Sequence, residues 1–278
     1  MNKGTISILG CGWLGLPLGK FLISKGFSVK GSVTDTNKFE ILSDAGISPY
    51  RIVLNETVAI VVDQTFFDCD VLIISIPPRR TNHIERIFPA KIAQLIPFIL
   101  ESGLSNVLFI SSTSVYPDKN QLAKEEDTLV PDKESGRALL LAENLLNNLT
   151  DFQTTVLRFG GLIGADRNPA RFLQKSTVPV PNSPVNLIHQ DDCIGIISAI
   201  IEQDLWGETL NASSPEHPLK KDFYSRAAQI SGLPEPLISE KPEAYKIVDS
   251  SKLIRLLNYR FKYPSPIDYL ERMEQVNK

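Results

Sequence analysis

Cysteine, histidine and excess charge are all scarce in this chain. Its 278 residues hold three cysteines and three histidines, and acidic and basic side chains nearly cancel at a net charge of −3. Cys11, Cys69 and Cys193 lie far apart, and none has the spacing of a metal site or of a C-x-x-C redox motif. An odd, scattered set offers no disulfide framework, so a reduced cytoplasmic setting is expected. His83, His189 and His217 are equally dispersed, and no metal constellation is expected. A near-neutral balance argues against a general nucleic-acid or membrane-surface binder. No segment reaches the ~18 uninterrupted apolar residues of a membrane span. The apolar run behind Lys3 is broken by three glycines and Pro17 and is followed by no small-residue cleavage site, so it reads as structure and not as a leader.

What is present begins at residue 5. The β-branched run Thr5-Ile6-Ser7-Ile8-Leu9 reads as a buried strand. It leads into Gly10-Cys11-Gly12-Trp13-Leu14-Gly15, which fits G-x-G-x-x-G, and then into a helical pattern of Leu14, Leu18, Phe21 and Leu22 stopped by Gly26. Gly10 permits the tight turn, Gly12 lets a pyrophosphate approach the backbone, and Gly15 lets the helix pack on the strand. Free N–H groups and the positive end of the helix dipole then face the phosphates. The motif has the strand before it and the helix after it that dinucleotide binding requires; an ordinary βα turn is the competing reading.

Strands and helices alternate down the chain. Strands are expected at 27–33, 49–54, 71–76, 106–111 and 154–159, and helices at 37–45, 84–100 and 136–149. The run Val71-Leu72-Ile73-Ile74-Ser75-Ile76, ended by Pro77-Pro78, is typical of a parallel strand buried on both faces. The alternation predicts an α/β protein with a doubly wound parallel sheet, a Rossmann fold. Prolines crowd in from residue 165, and the remaining elements are short. Residues 186–189 are expected to return as a late strand of the main sheet, followed by a helix over 191–202. The expected division is a dinucleotide-binding domain of residues 1–165, with 186–212 returning to it. A small mixed α/β cap is then formed by 166–185 and 213–278.

Several separated motifs fall in one order. Beside the glycine loop stand Ile110-Ser111-Ser112-Thr113-Ser114-Val115-Tyr116, Leu157-Arg158-Phe159-Gly160-Gly161-Leu162-Ile163-Gly164, Asn186-Leu187-Ile188-His189-Gln190-Asp191-Asp192, and a tail from Ser250 to Ser265. Together they resemble the extended short-chain dehydrogenase/reductases, the NAD(P)-dependent epimerase/dehydratase family, over nearly the whole chain. The resemblance implies NAD(P) held across the strand ends and a nucleotide-sugar or other small polar carbonyl or hydroxyl substrate under the cap. It places Gly10, Gly12, Trp13, Leu14 and Gly15 at the pyrophosphate, Ile76 and Pro77 at the cofactor crevice, and Gly160-Gly161 on the nicotinamide side. It also implies a homodimer through the helices 84–100 and 136–149. The competing reading has Leu140, Leu141, Leu145 and Leu149 all facing the sheet.

One departure weighs against these matches. The family's acid/base pair is Y-x-x-x-K, in which lysine lowers the tyrosine pKa and holds the ribose. Here Ser135 and Leu139 occupy those two positions, Glu143 keeps a family glutamate, and none of the seven tyrosines starts a Y-x-x-x-K elsewhere. The chain therefore resembles an atypical branch. Its rival function is a non-catalytic NAD(P)-binding sensor or scaffold.

Other candidates carry competing readings. Thr113 matches the family's substrate-polarising hydroxyl and equally fits a strand-end cap. Tyr116 is a candidate substitute acid, or a packing residue. Arg158 needs a partner on its apolar strand, for which Asp192 is a candidate, and His189 fits a hydrogen-bonded structural histidine. Arg79 and Arg80 fit either an anionic ligand or solvated charge. At the end of the second strand, where NAD proteins carry Asp or Glu, this chain has Ser32 and Thr34, with Asp35 one step late and Lys38 next. Ser32, Thr34 and Lys38 are expected to face the adenosine ribose. Hydroxyls and a lysine suit a 2′-phosphate, so NADP is expected over NAD.

Overall fold

The computed structural model describes residues 3–79, 81–128, 130–164, 166–172, 179–239, 241 and 243–276. In chain order it contains β1 (Thr5–Leu9), α1 (Gly15–Ser24), β2 (Ser28–Val33), α2 (Phe39–Asp44), β3 (Ser48–Leu54), β4 (Ala59–Val61), β5 (Val71–Ile74), α3 (Ile84–Ala93), α4 (Ile96–Ser102) and β6 (Asn106–Ser112). Then come β7 (Gln121–Ala123), α5 (Glu134–Asn147), β8 (Gln153–Phe159), β9 (Gly161–Ile163), β10 (Val180–Pro181), β11 (Leu187–His189), α6 (Gln190–Glu202) and β12 (Thr209–Ala212). The chain closes with α7 (Lys220–Ile230), β13 (Ile238–Ser239), β14 (Lys246–Val248), α8 (Ser251–Leu257) and α9 (Pro266–Val276).

Eight strands form one sheet in the order β12-β8-β6-β5-β1-β2-β3-β4. β1 runs parallel to β2 and β5, β2 to β3, and β5 to β6, while the short edge strand β4 is antiparallel to β3. This is the expected doubly wound architecture. All four residues of β5 are buried, as a central parallel strand covered on both faces requires. Among the described residues, no helix is long and apolar enough to cross a membrane.

The chain groups into two compact units. Met1–Val115, Lys133–Leu157 and Ile200–Thr209 make the first; Tyr116–Asp132, Arg158–Ala199 and Leu210–Lys278 make the second. The sequence places residues 116–132, 158–165, 186–199 and 210–212 with the dinucleotide-binding domain, whereas here they are counted with the second unit. The reason is strand pairing inside the second unit: β7 pairs with β14, and β9 with β11. The core of the second unit includes Ile163, Val185, Leu187, Phe223, Tyr263, Tyr269 and Leu270.

Two expected elements are corrected. The single helix over 84–100 is two helices, because Pro97 at the start of α4 has no N–H for the carbonyl of Ala93 and its ring would clash with that carbonyl. Residues 186–189 do not rejoin the main sheet; β11 instead forms a separate parallel pair with β9. The switch occurs at Gly160, whose N–H donates to the Ala212 carbonyl of β12, while the next N–H, from Gly161, donates to Asn186 O. The main sheet takes β12 as its edge.

Candidate dinucleotide and active site

The glycine loop is clamped from two sides within the first unit. Gly10 has φ of +102°, and a β-carbon there would lie 2.8 Å from Ser75 O and 2.9 Å from Ile76 Cγ2, at the end of β5. On the other side Gly10 N–H donates to Ser32 Oγ (3.0 Å) and Cys11 N–H to Ser32 O (2.9 Å), at the end of β2. Gly12 N–H turns back to Gly10 O at 2.9 Å. Three consecutive amides are thus consumed inside the loop. A β-carbon on Gly15 would strike Gly10 O, so only glycine lets α1 start this close to the turn.

A β-carbon on Gly12, by contrast, would meet no atom within 4 Å. No side-chain hydrogen bond caps Leu14 ahead of α1, and the first turn carries no acidic residue. An open space over Gly12 beside an uncapped, acid-free helix start leaves room for a phosphate and suits its charge. Cys11, beneath it, is buried with its thiol pushed up to about 12 by burial, so it stays neutral at physiological pH. Gly31 makes room for it: a β-carbon there would lie 2.5 Å from Cys11 Sγ.

The residues expected at the adenosine ribose separate. Ser32 is only 2% exposed and faces the loop, whereas Thr34 and Lys38 are exposed. Asp35 accepts from Asn37 N–H at 3.0 Å and so caps the short 3₁₀ turn Thr36–Lys38. That capping role accounts for a carboxylate one position later than NAD binding would want. After β5, Ile76 is half-buried and Pro77 and Arg79 are exposed; Arg80 lies outside the described residues.

Thr113, buried, opens a 3₁₀ turn, Thr113–Val115, at the end of β6. α5 packs on that turn and on α3, where Arg137 Nε bonds Glu85 Oε2 at 2.8 Å. Ser135 is half-buried in the first turn of α5, and Leu139 is buried one turn on. Glu143, a further turn along and fully buried, accepts from the Ser111 hydroxyl of β6. An apolar side chain therefore sits where the resemblance would put an ammonium.

The second unit holds a buried polar network that the sequence reading did not assemble. Tyr116 is 3% exposed; its hydroxyl donates to Asn211 Oδ1 (2.8 Å) and accepts from Arg158 Nη1 (2.6 Å). The guanidinium also lies over the Tyr116 ring, 5.1 Å from its centroid, and donates to Glu125 O at 3.3 Å. Asn211 in turn donates through Nδ2 to Ala123 O and Asp249 O, and its N–H reaches Glu125 Oε1. Burial pushes the phenol up to about 12, against the lowering influence of Arg158. The hydroxyl thus has both a lone pair and its proton engaged within the network. The clue in the sequence was Asn211 itself, a residue depleted from strands yet central in Thr209–Ala212.

Asp192 is not the partner expected for Arg158. Its carboxylate accepts from Tyr259 Oη, Lys262 N–H and Tyr263 N–H, fixing the turn that precedes α9. His189 is buried between the rings of Tyr263 and Tyr269, at centroid distances of 4.3 and 4.5 Å. Asp191 N–H donates to its Nδ1, which leaves the ring proton on Nε2, and burial lowers its pKa to about 4. It is the hydrogen-bonded structural histidine that was expected. Gly160 is required by packing, since a β-carbon there would lie 2.9 Å from Asn186 O, whereas one on Gly161 would meet the end of the Leu187 side chain, Cδ2, at 2.8 Å.

Comparison with known proteins places this geometry. No protein-family model matches the chain. It is 32% identical over 266 residues to protein YeeZ of Escherichia coli K12, covering 94% of this chain and 97% of that protein. A UDP-glucuronic acid 4-epimerase from Bacillus cereus, solved with UDP-glucuronic acid and NAD, superposes with a TM-score of 0.78 at 21% identity over 98% of both chains. A short-chain dehydrogenase/reductase superfamily protein from Agrobacterium tumefaciens with bound NAD gives 0.77 at 15% identity, over 98% of this chain and 97% of that one. At these identities the two solved structures share a fold with this chain. The chain belongs to the family of protein YeeZ, and its fold is the NAD-binding fold of the epimerase/dehydratases and short-chain dehydrogenase/reductases.

Proposed function

We propose that the protein binds NAD(P) at the glycine loop and acts as an oxidoreductase or epimerase-like protein on a nucleotide-sugar or other small polar carbonyl or hydroxyl substrate. The observation that carries this is the open, uncapped helix start over Gly12. The Trp13 and Leu14 amides hold the pyrophosphate, and Gly10, Gly12 and Gly15 shape the turn. Thr34 and Lys38 face the adenosine ribose, with Ile76 and Pro77 along the crevice. A bound nicotinamide would supply a hydride donor or acceptor. Neighbours of this fold solved with NAD and with a UDP-sugar support the class of cofactor and substrate.

The finer points rest on this chain's own residues. NADP is favoured over NAD because the exposed groups at the end of β2 are a hydroxyl and an ammonium, and the nearest carboxylate, Asp35, is engaged in capping. The segments 166–185 and 213–278 serve as the substrate-binding cap. A homodimer forms through α3 and α5, on which Leu141 is 46% exposed. The cytoplasm is its compartment, in keeping with three free cysteines. A water held by the Thr113 hydroxyl moves the proton.

A second reading, a sensor or scaffold that binds the nucleotide without turnover, is favoured by Ser135 and Leu139 at the acid/base positions. Serine is far less acidic than phenol and leucine supplies no cation, and general acid–base help is worth ~10²–10⁴ in rate. NADPH and NADH oxidation against a panel of aldehydes, ketones and nucleotide sugars separates the two. Turnover abolished by Thr113→Val supports the enzyme. Tight nucleotide binding with no turnover on any substrate moves the assignment to the sensor.

A further inference from the structure

β4 is the last strand of the main sheet, and among the described residues its outer edge pairs with no other strand. The open N–H and C=O groups of such an edge template pairing with another chain, so proteins commonly blunt it with a charge or a proline. The run Val58-Ala59-Ile60-Val61-Val62 holds neither. Val58, Ile60 and Val62 are 52, 41 and 68% exposed, while Ala59 and Val61 between them are half-buried. The two carboxylates that flank the run are engaged elsewhere. Glu56 Oε2 lies 3.0 Å from Arg86 Nη2, and Asp63 Oδ1 accepts from the N–H and the hydroxyl of Thr65.

The hairpin fixes which backbone groups face outward. Asn55 N–H donates to Val58 O, and Val53 lies opposite Ile60. Hydrogen-bonded and non-hydrogen-bonded pairs alternate in an antiparallel ladder, so Val58 and Ile60 turn their N–H and C=O to β3, and Ala59 and Val61 turn theirs to the open edge. Outward backbone groups and exposed side chains are therefore both symmetric about Ile60. A second copy laid antiparallel along this edge brings Ile60 opposite its own counterpart, Ala59 opposite Val61 and Val58 opposite Val62. Each Ala59–Val61 pair exchanges both its hydrogen bonds, and apolar side chains meet apolar ones. Beyond them Thr57 faces Asp63 and Glu56 faces Gln64, so no carboxylate meets a carboxylate.

We propose that β4 is a homotypic interface: two copies join antiparallel at this edge, centred on Ile60, and the sheet continues from one chain into the other. Because the edge complements itself in backbone and side chains, a second copy fits it better than an unrelated strand, for which nothing sets the register. A short strand buries little area, so the association is weak and concentration-dependent. It is separate from the α3–α5 contact proposed above and forms with or without it.

The test uses the Leu141→Glu chain, so that α3–α5 association does not contribute, in sedimentation velocity and amide hydrogen exchange from micromolar to millimolar concentration. We expect a monomer–dimer equilibrium within that range. The Ala59 and Val61 amides should gain protection as concentration rises, whereas the Ile60 amide, which faces β3, should be protected throughout. Ile60→Lys sets two ammonium groups face to face across the two-fold axis; it should leave a monomer at every concentration, at the melting temperature of the parent. Val62→Glu should weaken the dimer, and Val58→Lys added to it should restore the dimer, because the register centred on Ile60 brings positions 58 and 62 together. These variants serve if Ile60→Lys fails to fold. A parent chain monomeric up to millimolar concentration, its Ala59 and Val61 amides exchanging alike throughout, would overturn the inference and leave the edge to an extended segment of another protein. So would a dimer that survives Ile60→Lys and leaves those amides unprotected.

Discussion

Replacing Tyr116 by phenylalanine separates a structural phenol from a catalytic one. The substitution removes one oxygen that is 2.6 Å from Arg158 Nη1 and 2.8 Å from Asn211 Oδ1. The ring stays, and with it the cation–π contact whose guanidinium lies 5.1 Å from the ring centroid. Arg158 also keeps the Glu125 carbonyl. What is lost is one neutral hydrogen bond, worth about 1 kcal/mol, and one to a charged donor, worth about 1.5–3 kcal/mol. The expected destabilisation is therefore about 3 kcal/mol. At roughly 2–4 °C per kcal/mol for a chain of this size, the melting temperature should fall by about 6–12 °C. Differential scanning calorimetry reads the fall, and NAD(P) affinity below the transition should be unchanged. A variant as stable as wild type that has lost only its turnover would refute the structural assignment and make Tyr116 the substitute acid.

Other expectations follow from the same geometry. His189 is held neutral in the fold, its pKa lowered from 6.5 to about 4 chiefly by burial. Between those values the unfolded chain binds the proton and the folded one does not, so stability falls as pH drops from 6.5 towards 4, by up to about 3 kcal/mol. Urea unfolding across that range should show the loss, and His189→Asn should flatten it; an equal slope in both proteins would contradict the assignment. Thr34→Asp should reverse the NADP-over-NAD order through repulsion of the 2′-phosphate, and an unaltered ratio would remove Thr34 from the ribose site. Light scattering should report a dimer that weakens on Leu141→Glu, whereas a wild-type chain monomeric at all concentrations would remove the proposed interface.

The β1–turn–α1 unit was legible because three local signals coincide: a β-branched run, spaced glycines and a helical stripe. β5 was equally plain, since burial on both faces leaves it wholly apolar. The break between α3 and α4 was written in Pro97, but the apolar pattern running through it suggested one helix. Local pattern could not say where β11 would pair, because the choice between the main sheet and β9 is made by the Gly160 switch and by bonds such as Asn186 Oδ1 to Val248 N–H, far apart in sequence. β12 escaped notice because Asn211 makes Thr209–Ala212 look unlike a strand; its amide is satisfied by Ala123 O and Asp249 O, which only the folded chain brings near. The split between Ser32, turned inward, and Thr34, exposed, likewise follows from the glycine loop that Ser32 meets across the sheet.

The central claim is that the space over Gly12 belongs to a pyrophosphate. A β-carbon at Gly12 meets nothing within 4 Å, so Gly12→Val should leave the fold nearly untouched, while a β-carbon on Gly15 would strike Gly10 O and Gly15→Ala should destabilise the first unit. Calorimetric titration of wild type and Gly12→Val with NAD and NADP is the most direct measurement. Binding to the wild type is expected, with a loss of at least a hundredfold in the valine variant, about 2.7 kcal/mol, at an unchanged melting temperature. Equal affinity in the two proteins, or no binding of either nucleotide to the wild type at millimolar concentration, would contradict the claim.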